Sequence, residues 1–308
     1  MNSFILSCGS TADIPYSTLT ERGVNVIFYT YMIDGEEFVD DMGRDPNALP
    51  EFYAKLSAGA LPTTSQISIG NYVNYFRELL VKGDVLHLEF SSGMSGSVHN
   101  AVTAAAMLRE QFPGRHITVI DTTCGSAGYG LLVLSAADLR DKGFSLEETA
   151  QWVRDSSRCV HHQFFSTDLT HFKRSGRVSG LSAAFGTILG ICPLMHLDID
   201  GRIVAYSKVR GKKKALEATA DWMEAHALGG RNYDNYCFIT HSECAEAAEE
   251  LRGELERRFP KLAGKIEIDP IGTIIGSHSG PGTVALYFFG DERPAAAESE
   301  SRPAAQMQ

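Results

Sequence analysis

Four serine hydroxyls occur within the seven residues 91–97, Ser-Ser-Gly-Met-Ser-Gly-Ser, a segment without charge. Residues 85–90 before it have the apolar pattern of a short strand, and residues 98–108 after it carry apolar side chains at helical spacing. A strand that leads through such a loop into a helix directs backbone N–H groups and the positive helix end at one point, where an anionic group can bind without a cationic side chain. The alternative is that Ser95 or Ser97 only caps the helix.

Three further segments have the same small, hydroxyl-rich character, namely 8–15, 61–66 and 271–283. Each contains glycine or proline together with serine or threonine, and each adjoins a predicted strand or helix. The last one also holds a histidine, His278, between two serines. A single loop of this kind is more often structural, so it is the repetition that favours a ligand site built from hydroxyls and backbone N–H groups.

The common phosphate and dinucleotide motifs are absent from the sequence, which has neither a P-loop pattern nor a G-x-G-x-x-G fingerprint after a strand. Ser95 does not lie in a G-x-S-x-G nucleophile elbow. A serine-dependent acyl hydrolase or transferase, with Ser95 as nucleophile and His278 as base, stays open as an alternative, although the sequence indicates no acid partner. Cys237, His241 and Cys244 have a metal-like spacing, but no fourth ligand lies near them, so we expect no metal site.

The composition is that of an ordinary globular protein, with 44% hydrophobic and 21% charged residues among 308. A net charge of −10 disfavours nucleic acid as a partner, since phosphate binding needs a basic surface. No apolar run approaches membrane-spanning length, and the first residues lack a signal-peptide pattern. Six scattered cysteines without a C-x-x-C pair are typical of reduced thiols. We therefore expect a cytoplasmic protein without an integral membrane segment.

The order of the predicted elements indicates two domains. Strands alternate with helices in the first half, which predicts an α/β domain with a mainly parallel sheet over residues 1–155. The carboxyl ends of such strands gather at one edge, where ligands usually bind. After about residue 155 the regular alternation of strands and helices stops. A hairpin predicted over 194–206 then indicates a C-terminal domain of mixed α/β character, 156–290. Pro, Ala, Glu and Ser dominate residues 291–308, which predicts a disordered tail.

The pattern also predicts the conformation of three shorter segments. Residues 24–31 are apolar enough to form one buried strand, and residues 183–189 have the small apolar residues of a short helix. The glycine-rich segment 271–283 is predicted to be a loop.

Five motifs occur in a specific order along the chain: Pro62-Thr63-Thr64-Ser65-Gln66, the serine-rich segment 91–97, Lys173-Arg174-Ser175-Gly176-Arg177, Asp200-Gly201 followed by Lys208-Val209-Arg210, and Ile275-Gly276-Ser277-His278-Ser279-Gly280-Pro281-Gly282. Each motif alone is weak, but together, from about residue 3 to residue 290, they resemble the DegV family. These are the bacterial fatty-acid-binding proteins that form the acyl-presenting subunit of fatty acid kinase. The sequence departs from the family pattern at Gly9, where members usually carry aspartate, and at Ile67, where they commonly carry proline.

The resemblance implies a DegV-like fold of two α/β domains, with an acyl chain buried between or within them. It also implies that the protein is not itself an enzyme. It would bind a long-chain fatty acid and present the carboxylate to a partner kinase, which phosphorylates it to an acyl phosphate that enters phospholipid metabolism. No cofactor beyond the bound fatty acid is implied. Since the sequence shows no nucleotide motif, the kinase subunit must bring ATP and Mg²⁺.

The resemblance also implies which residues bind the fatty acid: Thr63 or Thr64, Ser95 together with Ser92, and His278. A head group held by hydroxyls agrees with elementary energetics. Each buried CH₂ of the acyl chain contributes about 0.8 kcal/mol, so a long tail can offset the desolvation of its head. The carboxylate then needs hydrogen bonds more than a salt bridge.

A partner-docking role is implied for Arg174 and Arg177 in the basic motif and for Arg210 in the Lys-Val-Arg motif. Residues 208–214 form the strongest positive cluster of an acidic chain. They are either a solvated face, as charge runs usually are, or an electrostatic docking surface for an acidic partner. A third class of function, a sensor or interaction module that its lipid merely stabilises, stays open beside the carrier and the hydrolase.

Overall fold

The structure, a computed structural model, describes residues 4–179 and 190–295. Its strands in chain order are β1 (Ile5–Gly9), β2 (Val24–Ile27), β3 (Thr30–Ile33), β4 (Glu36–Val39), β5 (Thr63–Thr64), β6 (Val85–Glu89), β7 (Ile117–Asp121), β8 (Val160–Ser166), β9 (Val178–Ser179), β10 (Ile191–Leu197), β11 (Ile203–Arg210), β12 (Cys237–His241), β13 (Glu267–Pro270) and β14 (Thr283–Phe289). Its α-helices are α1 (Tyr16–Glu21), α2 (Ala48–Ser57), α3 (Ile69–Leu80), α4 (Ser97–Arg109), α5 (Ser126–Asp141), α6 (Leu146–Ser157), α7 (Thr170–Ser175), α8 (Lys212–His226), α9 (Ala245–Arg258) and α10 (Thr273–Ser279).

The parallel sheet predicted for the first half of the chain has four strands, in the order β2-β1-β6-β7. All three neighbouring pairs are parallel, with Ile5 beside Val85 and Val85 beside Ile117. The central strand β6 is buried along its whole length, as expected for a parallel sheet covered on both faces. The prediction of a parallel sheet in the N-terminal part is therefore confirmed.

The single strand predicted over 24–31 is wrong, because this segment forms two strands in different sheets. β2 pairs with β1, whereas β3 belongs to a separate three-stranded sheet of order β4-β3-β5. Between them, the Tyr29 N–H donates to Ser10 Oγ at 3.1 Å, and the Tyr29 carbonyl accepts from the Asp40 N–H at 2.9 Å. These tertiary hydrogen bonds turn the chain from one sheet to the other, and an apolar run does not reveal them.

The mixed α/β character predicted for the second half is confirmed by a seven-stranded sheet of order β13-β12-β14-β8-β10-β11-β9. β10 and β11 form the predicted antiparallel hairpin, with a register shift between Leu194 and Met195. The pairs β12–β13 and β9–β11 are parallel, and β8 pairs antiparallel with both β10 and β14.

Helix α5 lies between the two large sheets, in contact with β1 on one side and with β8, β12 and β14 on the other. Its residues 126–137 are all buried, and they are small or apolar all around the helix, which is typical of a fully enclosed helix. A Cβ at Gly130 would lie 2.6 Å from the Ala12 carbonyl oxygen, so only glycine permits this approach. The helix joins the residues of both sheets into one hydrophobic core.

The loop predicted over 271–283 is wrong over residues 273–279, which form α10. Tertiary packing overrides the low helix propensity of its glycines and serines. The helix lies so close to α2 that a Cβ at Gly276 would be 2.7 Å from the Tyr53 hydroxyl. Every helix within residues 4–179 and 190–295 is too short or too polar to traverse a membrane.

The prediction of a disordered tail from residue 291 onward is wrong for residues 291–295. Arg293 is 2% exposed and donates through Nη1 to the Thr123 carbonyl at 2.9 Å, so residues 291–295 pack against the body of the protein. Residues 296–308, the rest of that prediction, lie outside the described residues, as does the helix predicted over 183–189. The domain boundary at residue 155 stays a prediction.

Candidate functional site

A cavity of about 660 Å³ lies at the meeting point of the four hydroxyl-rich segments, each of which contributes to its wall. Each segment contributes at least one lining residue, for example Thr11, Thr64, Ser95 and His278. Strands of the C-terminal sheet complete the wall, so the cavity draws on both halves of the chain. Its volume is in the range of sites for small-molecule ligands.

Much of the cavity wall is apolar. The aromatic and aliphatic side chains that face the cavity come from the loop after β6, from β8, α7 and β9, from the β10–β11 hairpin, from α10 and the segment just before it, and from β14. They are Phe90, Phe164, Phe172, Val178, Leu197, Ile203, Ile271, Ile274, Ile275 and Ala285. A hydrocarbon chain placed along this wall would be removed from water, which is favourable in proportion to the apolar area buried.

Thr64 and His278 form a polar end of the cavity, where Thr64 Oγ1 lies 2.8 Å from His278 Nε2, within hydrogen-bond distance. Burial, followed by the positive charges of Arg177 and Arg174 and by His171, lowers the pKa of His278 to about 4. The imidazole is therefore neutral near pH 7 and offers one donor and one acceptor. A carboxylate placed here would meet a hydroxyl and an imidazole in a positive field.

The strand β5 determines which of the two threonines faces the cavity. Thr64 lines the cavity and is partly buried, whereas Thr63 is exposed and lies outside the lining. Successive side chains of a strand point to opposite faces, and pairing with β3 sets the register, with Thr64 opposite Tyr31 and Thr63 opposite Met32. Of the two residues that the sequence left open, the structure places Thr64 at the cavity.

Ser92 and Ser95 both line the cavity from the loop between β6 and α4. Ser95 Oγ donates to Ser97 Oγ at 3.1 Å and accepts from the Ser97 N–H at 3.3 Å. Both distances are long for hydrogen bonds of their kinds, so the Ser95 hydroxyl can exchange these partners for a bound ligand at small cost.

The same loop is in contact with neighbouring segments on both sides. Ser91 Oγ donates to the Gly201 carbonyl at 2.8 Å, which ties the loop to the β10–β11 hairpin. A Cβ at Gly96 would lie 2.7 Å from Gln66 Nε2, so the loop packs directly on the segment that carries Thr64. The serines and Thr64 therefore belong to one rigid corner of the cavity.

Ser95 and His278 share the cavity, but their hydrogen-bond partners differ. In the described part of the chain Ser95 bonds to Ser97, and the His278 ring lies against Thr64. A serine nucleophile needs a general base within direct hydrogen-bond reach. The arrangement presents a hydroxyl and an imidazole to a ligand, and it does not form a nucleophile–base pair.

The three arginines predicted to dock a partner lie in different places. Arg177 lines the cavity, and Arg174 donates through Nη2 to the Pro62 carbonyl just before β5. Arg210, at the end of β11, is exposed and lies outside the cavity lining. Two of the three thus contribute positive charge next to His278, which favours an anionic group there. The docking role of all three stays a prediction.

A buried acid that the sequence analysis missed lies behind the cavity wall. Glu89 accepts through Oε1 from the Tyr29 hydroxyl at 2.7 Å and the Phe90 N–H at 2.8 Å, and through Oε2 from His87 Nε2 at 2.9 Å and from the Tyr72 hydroxyl. Burial raises the pKa of Glu89, but the bonds from His87, Tyr72 and Tyr29 outweigh it and hold the pKa below its usual value. Because Tyr29 lines the cavity, this network fixes part of the wall.

A signal for this network exists in the sequence. His87 and Glu89 are two residues apart in an otherwise apolar strand, and such a spacing places both on one face. Polar residues in a central strand need partners, since a buried polar group without one costs free energy. The partners Tyr29 and Tyr72 are distant in sequence, so the composition of the network could not be predicted.

Three potential metal ligands, His161, His226 and Asp291, lie together outside the cavity lining, with their ligand atoms within 4.8 Å of one another. However, Trp222 Nε1 donates to His161 Nδ1 at 3.0 Å, so the His161 proton is on Nε2 and faces Asp291 Oδ1 at 3.1 Å. A metal on Nε2 would move that proton to Nδ1, directly against the Trp222 N–H. These contacts explain the cluster as a hydrogen-bonded anchor for the segment at residue 291.

A parallel sheet and a mixed sheet joined by a buried helix, with a cavity lined by both hydroxyl-bearing and apolar side chains, define an α/β protein with an amphipathic ligand cavity. Comparison with known proteins identifies its family. The family model described as "Uncharacterised protein, DegV family" matches residues 8–291. A DegV domain-containing protein of Clostridium perfringens is 34% identical over 295 residues, which are 95% of this chain and 99% of the relative. The chain belongs to the DegV family.

Solved structures agree with this assignment. A DegV family protein from Thermus thermophilus, described as fatty-acid binding, is 31% identical with a TM-score of 0.79, over 94% of this chain and 99% of that one. The fatty-acid-binding DegV family protein of Streptococcus agalactiae is 29% identical with a TM-score of 0.80, over 95% of this chain and 100% of that one. The family resemblance seen in the five motifs is thus confirmed.

Proposed function

We propose that the protein binds a long-chain fatty acid in the main cavity. The carboxylate lies at the polar end, near Thr64, Ser95 and His278, and the acyl chain follows the apolar wall. The observation that carries the proposal is that one cavity combines this polar end with apolar side chains from both halves of the chain. The relatives from Thermus thermophilus and Streptococcus agalactiae, both described as fatty-acid binding, support it.

The energetics of such binding follow from the wall and the polar end separately. Burial of the acyl chain supplies about 0.8 kcal/mol per CH₂, which offsets the cost of association and of desolvating the head. The head group then exchanges water for the hydroxyls of Thr64 and Ser95 and for the neutral His278 ring. Arg177, which lines the same cavity, adds a favourable charge interaction without a requirement for a direct ion pair.

We also infer that the protein acts in the cytoplasm by presenting this carboxylate to a separate ATP-dependent kinase, with no cofactor of its own. The sequence contains no nucleotide-binding motif, so a second protein must bring the phosphoryl donor. A carboxylate held by hydroxyls and a neutral imidazole keeps its lone pairs available to attack a phosphoryl group. Arg210, exposed on β11, is the candidate for contact with an acidic kinase surface.

The test of the binding proposal is lipid mass spectrometry on the protein purified from bacteria. The denatured sample should release about one fatty acid per chain, and delipidated protein should rebind oleate or palmitate. The methyl ester of the same acid is the matched control ligand, since it keeps the tail and removes the charge, and it should bind much more weakly. A folded protein that contains no fatty acid and does not rebind it would overturn the proposal.

The kinase proposal needs a separate measurement with a fatty acid kinase subunit from the organism that encodes the protein. The loaded protein should yield acyl phosphate only when kinase, ATP and Mg²⁺ are all present. The isolated protein should not hydrolyse acyl esters. Ester hydrolysis that disappears in Ser95→Ala would instead establish the hydrolase alternative.

A further inference from the structure

The register of β14 shows how far the main cavity extends from His278. Thr283, at the start of this strand, has its Oγ1 3.5 Å from the Ser279 carbonyl oxygen, so it lies beside the helix that carries His278. Thr283 and Tyr287 both line the cavity, and four residues of extended strand place them about 13 Å apart. Tyr287 therefore belongs to an end of the cavity that is remote from the proposed head-group site.

His162 closes this remote end together with Tyr287. The two residues are paired across β8 and β14, and their rings meet edge to face with centres 5.4 Å apart. Both line the cavity, whereas the next pair along the two strands, Val160 and Phe289, lies outside the lining. We call the region of His162 and Tyr287 the closed end of the cavity.

The imidazole of His162 is fixed from several sides. Its Nδ1–H donates to the Val160 carbonyl at 2.9 Å, and its Nε2 accepts from the Gly125 N–H at 3.2 Å. A Cβ at Gly128 would lie 2.3 Å from Nε2, so α5 packs directly on the ring. Burial, then the charge of Arg293, lowers the pKa of His162 well below its usual value, which keeps the ring neutral. The position of His162 thus depends on α5 and on the segment that carries Gly125.

That segment, residues 122–126 from the end of β7 into α5, contains backbone strain. Gly125 and Ser126 line the cavity, and Thr123 and Ser126 both have a φ of +49°, in the left-handed region. A β-branched residue such as threonine rarely adopts this conformation, because it costs free energy that the surrounding structure must supply. Contacts outside the segment must therefore hold Thr123.

Arg293 provides these contacts from the C-terminal strap, which we define as residues 291–295. Its Nη1 donates to the Thr123 carbonyl at 2.9 Å and its Nη2 to Thr123 Oγ1 at 2.7 Å, so one guanidinium fixes both the backbone and the side chain of the strained residue. Nη1 also lies 3.5 Å from His162 Nδ1, next to the closed end. Within residues 4–179 and 190–295 no carboxylate forms a salt bridge with Arg293, and its hydrogen bonds go to the segment instead.

The strap itself is attached to the outside of the C-terminal sheet. The Arg293 N–H donates to the Arg158 carbonyl at 2.9 Å, and the Pro294 carbonyl accepts from the Ile199 N–H at 3.1 Å. Residues 292–295 lie beyond the part of the chain that matches the family model. The strap therefore brings a guanidinium to the closed end from behind the cavity wall.

We propose that Arg293 sets the length of the acyl chain that the main cavity accepts, an inference that rests on the proposed fatty-acid function. Arg293 lies outside the cavity lining, so it is a positioning residue that acts through Thr123 and His162. The tail of a fatty acid with its carboxylate near His278 ends at the closed end. A longer chain would have to displace side chains that Arg293 holds in a packed arrangement, which costs affinity.

The test compares cis-monounsaturated fatty acids of sixteen to twenty-two carbons on the full chain. Their affinities are measured by competition with a fluorescent fatty acid on delipidated protein. The parent protein should bind best at one chain length and lose affinity beyond it. Arg293→Met removes the guanidinium behind His162 and lets Thr123 relax, so the optimum should move to a longer chain. Each two carbons beyond the parent optimum should regain roughly tenfold in affinity relative to the parent protein.

Two further variants make the result specific. Arg293→Lys keeps the charge and most of the stem but cannot hold both oxygens of Thr123 in one fork, so it should move the optimum in the same direction. Glu292→Gln breaks only the exposed ion pair of the strap with Arg158, at 2.9 Å, and should keep the parent profile. The measured quantity is a ratio of affinities within each variant, and a general loss of stability does not change it.

The inference is overturned if the parent protein has an optimum that neither Arg293 variant moves, or if Glu292→Gln moves it equally. A parent protein that binds all these chain lengths alike overturns it as well. In each of these cases fatty-acid binding itself is retained. A parent protein that binds no fatty acid of any length would instead overturn the proposed function, and this inference with it.

Discussion

The placement of Thr64 inside the main cavity and of Thr63 outside it leads to a sharp prediction about fatty-acid affinity. The two residues are adjacent on β5, and each can be replaced by valine, which has nearly the same shape and suits a strand. Thr64→Val removes the hydroxyl that lies 2.8 Å from His278 Nε2. Thr63→Val removes a hydroxyl that is exposed and outside the cavity lining.

The expected effect follows from the value of a hydrogen bond to a charged group, about 1.5–3 kcal/mol. At about 1.4 kcal/mol for each factor of ten, Thr64→Val should raise the dissociation constant for a fatty acid roughly 10- to 150-fold. His278 also loses its partner, which moves the result toward the upper part of this range. Thr63→Val should stay within about threefold of the parent protein, since surface substitutions of this kind change little.

The assay is competition of oleate with a fluorescent fatty acid on delipidated protein, at concentrations where the oleate is monomeric. Thermal unfolding of the ligand-free variants shows whether both retain the fold. The reasoning is refuted if Thr64→Val binds as tightly as the parent protein, or if Thr63→Val is the more damaging of the two. Either result would mean that β5 presents its other face to the ligand.

Three further predictions concern stability, pH and docking. Glu89→Gln should lower the free energy of unfolding in urea by about 1–3 kcal/mol, because the new amide donor faces hydroxyl and imidazole donors; an unchanged value would show that the buried network does not stabilise the fold. The fold lowers the pKa of His278 from 6.5 to about 4, so between these pH values the unfolded chain binds more protons than the folded protein. The contribution of this residue to the free energy of unfolding therefore falls as the pH falls through that window, by up to about 1.4 kcal/mol per pH unit. His278→Asn should therefore lose less stability than the parent protein in urea titrations across that window, and parallel curves would contradict the buried neutral imidazole. Arg177→Gln should weaken fatty-acid binding several-fold, whereas Arg210→Gln should leave binding intact and slow acyl phosphate formation by the kinase; if Arg210→Gln also loses fatty acid, it supports the cavity and not docking.

The sequence predicts the site in outline because its main signals are local. Small hydroxylated segments at strand ends and before helices are visible without any tertiary information, and all four of those segments do line one cavity. The parallel order of the first strands could also be predicted, since alternation with helices leaves few other arrangements. The family resemblance added the candidate residues within these segments.

The errors arise where distant residues decide local structure. The run 24–31 is mostly apolar, yet Ser10 and Asp40 bond to Tyr29 and divide it between two sheets. Residues 273–279 have a loop-like composition, yet contact with Tyr53 and burial make them helical. The composition of a segment predicts only its average preference for helix, strand or loop, and in both cases a few tertiary contacts outweigh that preference.

The sequence by itself determined the fold class and the family, and it predicted a ligand site lined by hydroxyls, because periodicity, turn residues and ordered motifs are properties of the chain alone. Only the tertiary structure decided that Thr64 and not Thr63 faces the cavity and that Arg177 lies in its wall. The physical reason is that these facts depend on direction and burial. Strand register sets the direction of a side chain, and packing between residues far apart in sequence sets its burial. Neither can be predicted from a single segment of the sequence.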